Sequence, residues 1–275
     1  MSGRTCGSPS PPLFASGAVQ ARRQRAGRSS VGASQAKAPA MLPRLLPFLC
    51  LLACAAPDAE ESGGERAAEP QVRPDINAAY LSDDLDVDDL AEGFSAESRE
   101  AFAVRDAVTE ALGLSPGDAV ADIGAGTGIY LAPFSAAVGP EGTVYAIDIS
   151  ELLVDYLGRY AEQEGFSNVR PVLGETADTG LEPGSLDLAF TSDVYHHFEA
   201  PGAMNAHLFE TIRPGGAFAV LDFRRGPDAP DWIHRHVRTN MAGVIAEVTK
   251  AGFAFEGEVA VPGLEDNYLI LFRRP

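Results

Sequence analysis

Two groups of residues in this 275-residue chain have the types and spacing for chemistry. The first is A-V-A-D-I-G-A-G-T-G at 119–128, which sets Asp122 two residues ahead of Gly124 and follows it with Gly126 and Gly128. Glycines without Cβ atoms let a backbone close on a ligand, and a helix that starts there aims its free N–H groups at it. The third glycine falls one residue earlier than in G-x-G-x-x-G, where this chain has Ile129, and this spacing disfavours a dinucleotide. Asp148, with Ile149 after it, closes a second apolar run 20 residues beyond Gly128. A carboxylate at a strand tip can accept both ribose hydroxyls, so loop and acid together point to a nucleoside. The second group is T-S-D-V-Y-H-H-F at 191–198. An imidazole of His196 or His197 can take a proton from a hydroxyl or amine near neutral pH, and Asp193 can orient the nucleophile or help position the ligand. The local alternative stays open: Asp193 caps a turn and the two histidines pack at a helix start.

The elements around these groups alternate. Short apolar runs at 119–123, 143–148, 169–173, 186–191 and 217–222 predict buried parallel strands. Between and around them, apolar spacing and caps predict helices over 96–113 behind Ser95, 151–164 ending at Gly165, 201–212, and 231–251. Trp232, His234, His236 and Arg238 read as a solvated helix face; the alternative is a polar and aromatic wall over a substrate, with the arginines able to hold an anionic group. The runs 256–261 and 267–273 flank Pro262 and Gly263 and read as an antiparallel pair. Strand and helix alternation predicts an α/β fold with a doubly wound, Rossmann-like sheet.

Residues 115–223 resemble the class I S-adenosylmethionine (SAM) methyltransferases, and 224–275 follow them in outline. Asp122, Gly124, Gly126 and Gly128 match the first motif of that family, and Asp148 matches its ribose-binding acid. Glu175 and Thr176, after Gly174, stand where the family has an acid that accepts from the adenine amino group. The stretches 182–187 and L-F-E-T-I-R-P-G-G at 208–216 match later segments, and the small-molecule branch that includes the ubiquinone and menaquinone methyltransferases is the most similar. The resemblance implies a seven-stranded sheet with an antiparallel last strand. It also implies SAM as cofactor, held by Asp122, Gly124, Gly126, Gly128, Asp148, Ile149, Glu175 and Thr176, and methyl transfer to a small-molecule acceptor beside Asp193, His196 and His197. A non-catalytic, exported SAM- or nucleoside-binding lipoprotein of the same fold is the alternative.

Charge and the N-terminal region bound the rest. All 39 acidic residues follow position 54, while seven of the 21 basic ones precede 55, so 55–275 carries a net charge of −25. Such a surface repels phosphate backbones and argues against nucleic-acid partners. Residues 1–40 are low in apolar periodicity and read as disordered, from an over-extended start ahead of Met41. Arg44, a short apolar core and Leu51-Leu52-Ala53-Cys54 describe a signal segment over 41–54 with a lipobox-like end, too short to span a bilayer. This reading makes the protein exported, with a lipid anchor on Cys54 as its membrane contact. Residues 55–94 read as an acidic linker and 95–275 as the folded domain. Asp83, Asp84, Asp86, Asp88 and Asp89 lack the glycine hinge of a calcium loop, and no residues are assigned to a metal. The three cysteines, Cys6, Cys50 and Cys54, all precede the folded region and leave it without thiol chemistry.

Overall fold

The computed structural model describes residues 75–97 and 99–275. The stretch 1–40, the signal-like segment 41–54 with Cys54, and residues 55–74 lie outside the described residues.

Seven strands form one sheet: β1 (Ala119–Ile123), β2 (Thr143–Asp148), β3 (Val169–Leu173), β4 (Leu186–Ser192), β5 (Ile212–Phe223), β6 (Ala254–Glu258) and β7 (Asn267–Arg273). Their order across the sheet is β3-β2-β1-β4-β5-β7-β6. The five strands from β3 to β5 pair in parallel, and β7 enters antiparallel between β5 and β6. The sheet therefore reverses its winding between β1 and β4, the position at which a doubly wound sheet opens a crevice beyond its strand ends.

Strand pleating sends alternate residues into two cores. On β5, Ala217, Ala219 and Leu221 face one side and Phe218 and Val220 the other. The first core is completed by α3 (Arg105–Leu112), α4 (Leu131–Val138) and α5 (Glu151–Glu164), the second by α6 (Pro201–Thr211) and α8 (Met241–Lys250). A sheet covered on both faces explains why its inner strands read as unbroken apolar runs.

Three boundaries differ from the sequence reading. Residues 75–94 are not a linker: they include α1 (Val87–Phe94) and pack back onto the domain. Asn77 is buried and its Nδ2 donates to the His197 carbonyl and to Glu199 Oε1, at 3.1 and 2.9 Å. Ser95 is the C-cap of α1, and the helix expected over 96–113 is two helices, α2 (Glu100–Ala103) and α3. At that break the buried Tyr130 hydroxyl donates to the Ala101 carbonyl at 2.9 Å and Arg105 donates to the Phe102 carbonyl at 2.7 Å, so side chains satisfy what a continuous helix would. The helix expected over 231–251 likewise divides into α7 (Asp231–His236) and α8. Asn240 accepts from the Gly243 N–H at 3.0 Å, and a side chain that caps from inside a helical pattern starts a new helix there.

Candidate active site

The glycine loop leaves β1 in left-handed backbone, with φ of 71°, 54° and 80° at Gly124, Gly126 and Gly128. A Cβ on Gly124 would fall 2.5 Å from Val194, and one on Gly126 would fall 3.2 Å from the Phe94 ring. These two glycines therefore form a narrow cradle. Gly128 behaves differently from expectation: its missing Cβ faces Leu131 and Leu157 in the core, and it does not line the crevice. Its task is to let α4 and α5 close.

The tip of β2 holds this loop. The Ile147 carbonyl accepts from Gly124 and Ala125 at 2.8 and 2.9 Å, and Asp148 Oδ2 accepts from the Gly126 N–H at 3.0 Å. Asp148 Oδ1 accepts from Ser150 N–H at 3.0 Å, which accounts for the helix start that Ser150 itself does not cap. A carboxylate has about four acceptor positions, so Asp148, with the backbone N–H groups of Gly126, Ile149 and Ser150 upon it, keeps capacity for a ribose hydroxyl.

Above the loop lies a crevice with about 1070 Å³ of empty space, part of it open to solvent. Of the residues singled out in the sequence, it gathers Asp122, Gly124, Gly126, Asp148, Ile149, Glu175, Thr176, Asp193 and His197. Asn77, Tyr80, Phe94 and Arg99 line it as well, and the sequence reading missed all four. The signal available was two lone aromatics, Tyr80 and Phe94, in an otherwise acidic stretch.

The carboxylates here are shifted upward. Burial, reinforced by the negative charge of Asp148, raises Asp122 to about 7. Burial raises Asp148 too, and the backbone N–H groups on its oxygens oppose that rise. Asp193 is pushed up to about 6 by burial and the nearby Asp222, against the pull of Arg99. Asp193 also holds a positive φ of 53°, unusual for a residue with a side chain. Arg99 Nη2 donates to its Oδ2 at 2.7 Å and Asn267 Nδ2 to its Oδ1 at 2.6 Å, and these two bonds tie the turn after β4 to the segment before α2 and the start of β7.

The two histidines have different places. His197 lines the crevice. His196 is 2% exposed, lies outside the lining, and sits behind the wall against Asp222 at the end of β5. The alternative wall of Trp232, His234, His236 and Arg238 does not line the crevice either. Both Arg238 Nη atoms bond Glu247 at 2.7 Å, and that carboxylate also accepts the buried Tyr195 hydroxyl at 3.0 Å. The guanidinium is thereby committed to the core and not to a substrate anion. Trp232 turns outward at 46% exposure, with its edge against Phe223.

Residues 120–216 match the family described as "Methyltransferase domain". That segment is similar to methyltransferase domains. Over 117 residues the chain is 32% identical to nocamycin O-methyltransferase of Saccharothrix syringae, covering 42% of this chain and 42% of that protein. Over 137 residues it is 31% identical to an uncharacterized 37.1 kDa protein in transposon TN4556 of Streptomyces fradiae, covering 50% of this chain and 37% of the other. The chain thus spans less than half the length of these curated relatives. A crystal structure of a SAM-dependent methyltransferase from Aquifex aeolicus superposes with a TM-score of 0.61 at 24% identity, over 68% of this chain and 98% of that one. The methyltransferase fold of the sheet, including the inserted antiparallel β7, is shared with it.

Proposed function

We propose that this domain transfers the methyl group of S-adenosylmethionine to a small-molecule acceptor. The observation that carries the reading is the bond from the Gly126 N–H to Asp148 at the floor of the crevice, which combines a glycine cradle with a ribose-type acceptor. The residues present fit the cofactor: a Cβ at Gly124 or Gly126 would fill the cradle, and Asp148 faces the same space. Gly124, Gly126 and Asp148 would hold the nucleoside part, with Ile149, Glu175 and Thr176 along its base and Asp122 beneath the loop. When bound, SAM supplies an electrophilic methyl group on a sulfonium.

The chain's own task is alignment. Asp193 and His197 are among the polar groups on the β4 side of the crevice, with Ser192 and Glu199, and each of the two is held by fixed partners. Fixed polar groups bind and orient a nucleophile, and His197 is placed to receive its proton. His196, behind the wall, serves as a positioning residue. The similarity to nocamycin O-methyltransferase supports an oxygen nucleophile. The same proposal includes the N-terminal reading, in which 41–54 directs export and Cys54 carries a lipid.

The reading is tested by release of S-adenosylhomocysteine from a panel of phenols, quinols and amines. The expected result is turnover on at least one class. His197→Ala should lower it by at least ~10²-fold while SAM affinity stays within a few-fold. A chain that binds no SAM in calorimetry overturns the proposal. One that binds SAM and methylates nothing in the panel favours the non-catalytic alternative.

A further inference from the structure

His196 and His197 form a short 3-10 turn after β4 with Tyr195, and His236 is the last residue of α7, after β5. His236 lies 39 residues beyond His197, yet the three rings meet. The ring centroids are 4.5, 4.9 and 5.0 Å apart, a nearly equilateral triangle. One ligand nitrogen from each lies within 4.8 Å of those of the other two.

The hydrogen bonds around the triangle decide which nitrogens are available. Asp222 Oδ1 lies 2.7 Å from His196 Nδ1, and its Oδ2 accepts the His196 backbone N–H at 3.1 Å. A carboxylate only accepts, so His196 carries its proton on Nδ1 and keeps a lone pair on Nε2. Asn77 donates from Nδ2 to two oxygens, which fixes its amide with Oδ1 toward His197 Nδ1 at 3.1 Å. His197 therefore also carries its proton on Nδ1, and its Nε2 lone pair faces His236 Nε2 at 3.2 Å. Zn–N bonds of about 2.0–2.1 Å in a tetrahedron set neighbouring ligands about 3.3 Å apart, which matches that separation. A carboxylate or amide oxygen behind a ligand histidine is the usual outer support of a metal-bound imidazole, and Asp222 and Asn77 provide it for His196 and His197.

We propose that His196, His197 and His236 bind one divalent transition-metal ion of the imidazole-preferring kind, Zn²⁺ or its Co²⁺ surrogate, at the β4–β5 side of the crevice. Three protein nitrogens leave a fourth position for water or another oxygen ligand. The site departs from the sequence expectation of no metal, and its binding is measured without cofactor or acceptor; an ion on His197 Nε2 would compete with a proton for the lone pair that the methyl-transfer reading uses.

The experiment uses the full chain, free of any histidine tag and stripped by chelator. Zn²⁺ titration by calorimetry should show one equivalent bound. Co²⁺ should give the visible bands of a four-coordinate ion without the near-ultraviolet bands of thiolate ligation, which separates this site from Cys6, Cys50 and Cys54. His236→Ala should weaken Zn²⁺ binding by at least ~10²-fold, and Asp222→Asn by about 10- to 100-fold. The wild-type Co²⁺ spectrum stands on its own if either variant fails to fold. Wild-type chain that takes up no Zn²⁺, Co²⁺ bands of thiolate type, or unchanged affinity in a folded His236→Ala variant would each overturn the proposal. A simple imidazole–imidazole hydrogen bond between His197 and His236 predicts the first of these outcomes.

Discussion

Asp148 has backbone partners in Gly126 of the loop and Ser150 after β2, and a further task in the crevice, so its loss is read as SAM affinity in a variant shown to be folded. Removing a charged acceptor from a ribose costs roughly 1.5–3 kcal/mol, or about 10- to 100-fold in affinity. Asp148→Ala should weaken SAM binding by that factor in calorimetry, and unchanged affinity would take the residue out of the site. Asp122 makes a different prediction, because its carboxyl is raised from an ordinary 3.8 to about 7 by burial, with Asp148 adding to it. Between those two values the folded chain binds a proton that the unfolded chain has released, so stability falls as pH rises through that window. Asp193, raised to about 6, contributes in the same direction. Asp122→Asn removes the first contribution. The loss of stability between pH 5 and pH 8 in urea melts should be smaller in the variant than in the wild type by on the order of 1–3 kcal/mol. Equal pH dependence in the two chains would mean that Asp122 titrates normally. Both residues were legible in the sequence, since a glycine spacing and a strand-end acid are local patterns. His236 was not, because its meeting with His196 and His197 depends on where α7 ends.

At the scale of elements, the central strands and α5 follow the sequence closely, because a covered parallel sheet writes itself as apolar runs and a helix end as a glycine in left-handed backbone. The misread elements share one cause. Side chains took over backbone partners at both breaks, Tyr130 from a distance at Ala101 and Asn240 locally at Gly243, and apolar periodicity carries no trace of either. The segment 75–94 was read as a tether because its composition is acidic, yet Asn77, Tyr80 and Phe94 line the crevice and Asn77 bonds the domain. A tether and a packed strap differ in stability. Asn77→Ala leaves the His197 carbonyl and Glu199 without their shared donor and should destabilise the chain by about 1–3 kcal/mol in urea denaturation. A tether residue would change the midpoint by nothing measurable, so a silent substitution would restore the linker reading.

Over the whole molecule, charge and the proposed N-terminal signal bear on where the domain would work. The acidic excess after residue 54 sits on a domain whose crevice carries Asp122, Asp148, Glu175 and Asp193. Such a surface is suited to uncharged or cationic acceptors more than to phosphate backbones. The proposed anchor concerns residues ahead of that domain. Met41 to Ala53 supplies one positive charge and an apolar core, and Cys54 follows a small residue. One acyl chain gives only weak, reversible attachment, and stable anchoring takes at least two. Multiple acylation of Cys54 predicts that wild-type protein expressed in a bacterial host fractionates with membranes and is recovered in the detergent phase. Cys54→Ser should leave that phase, either as a soluble chain or as one that keeps its apolar segment uncleaved. A chain begun at Met41 should behave as the full sequence does, because the forty residues ahead of it supply no part of the signal. Mass spectrometry of the mature N-terminus gives the direct reading: a lipid-modified cysteine in the wild type and none in Cys54→Ser. Soluble, unprocessed wild-type protein would remove both the anchor and the export route, and would leave the domain in the compartment where SAM is made.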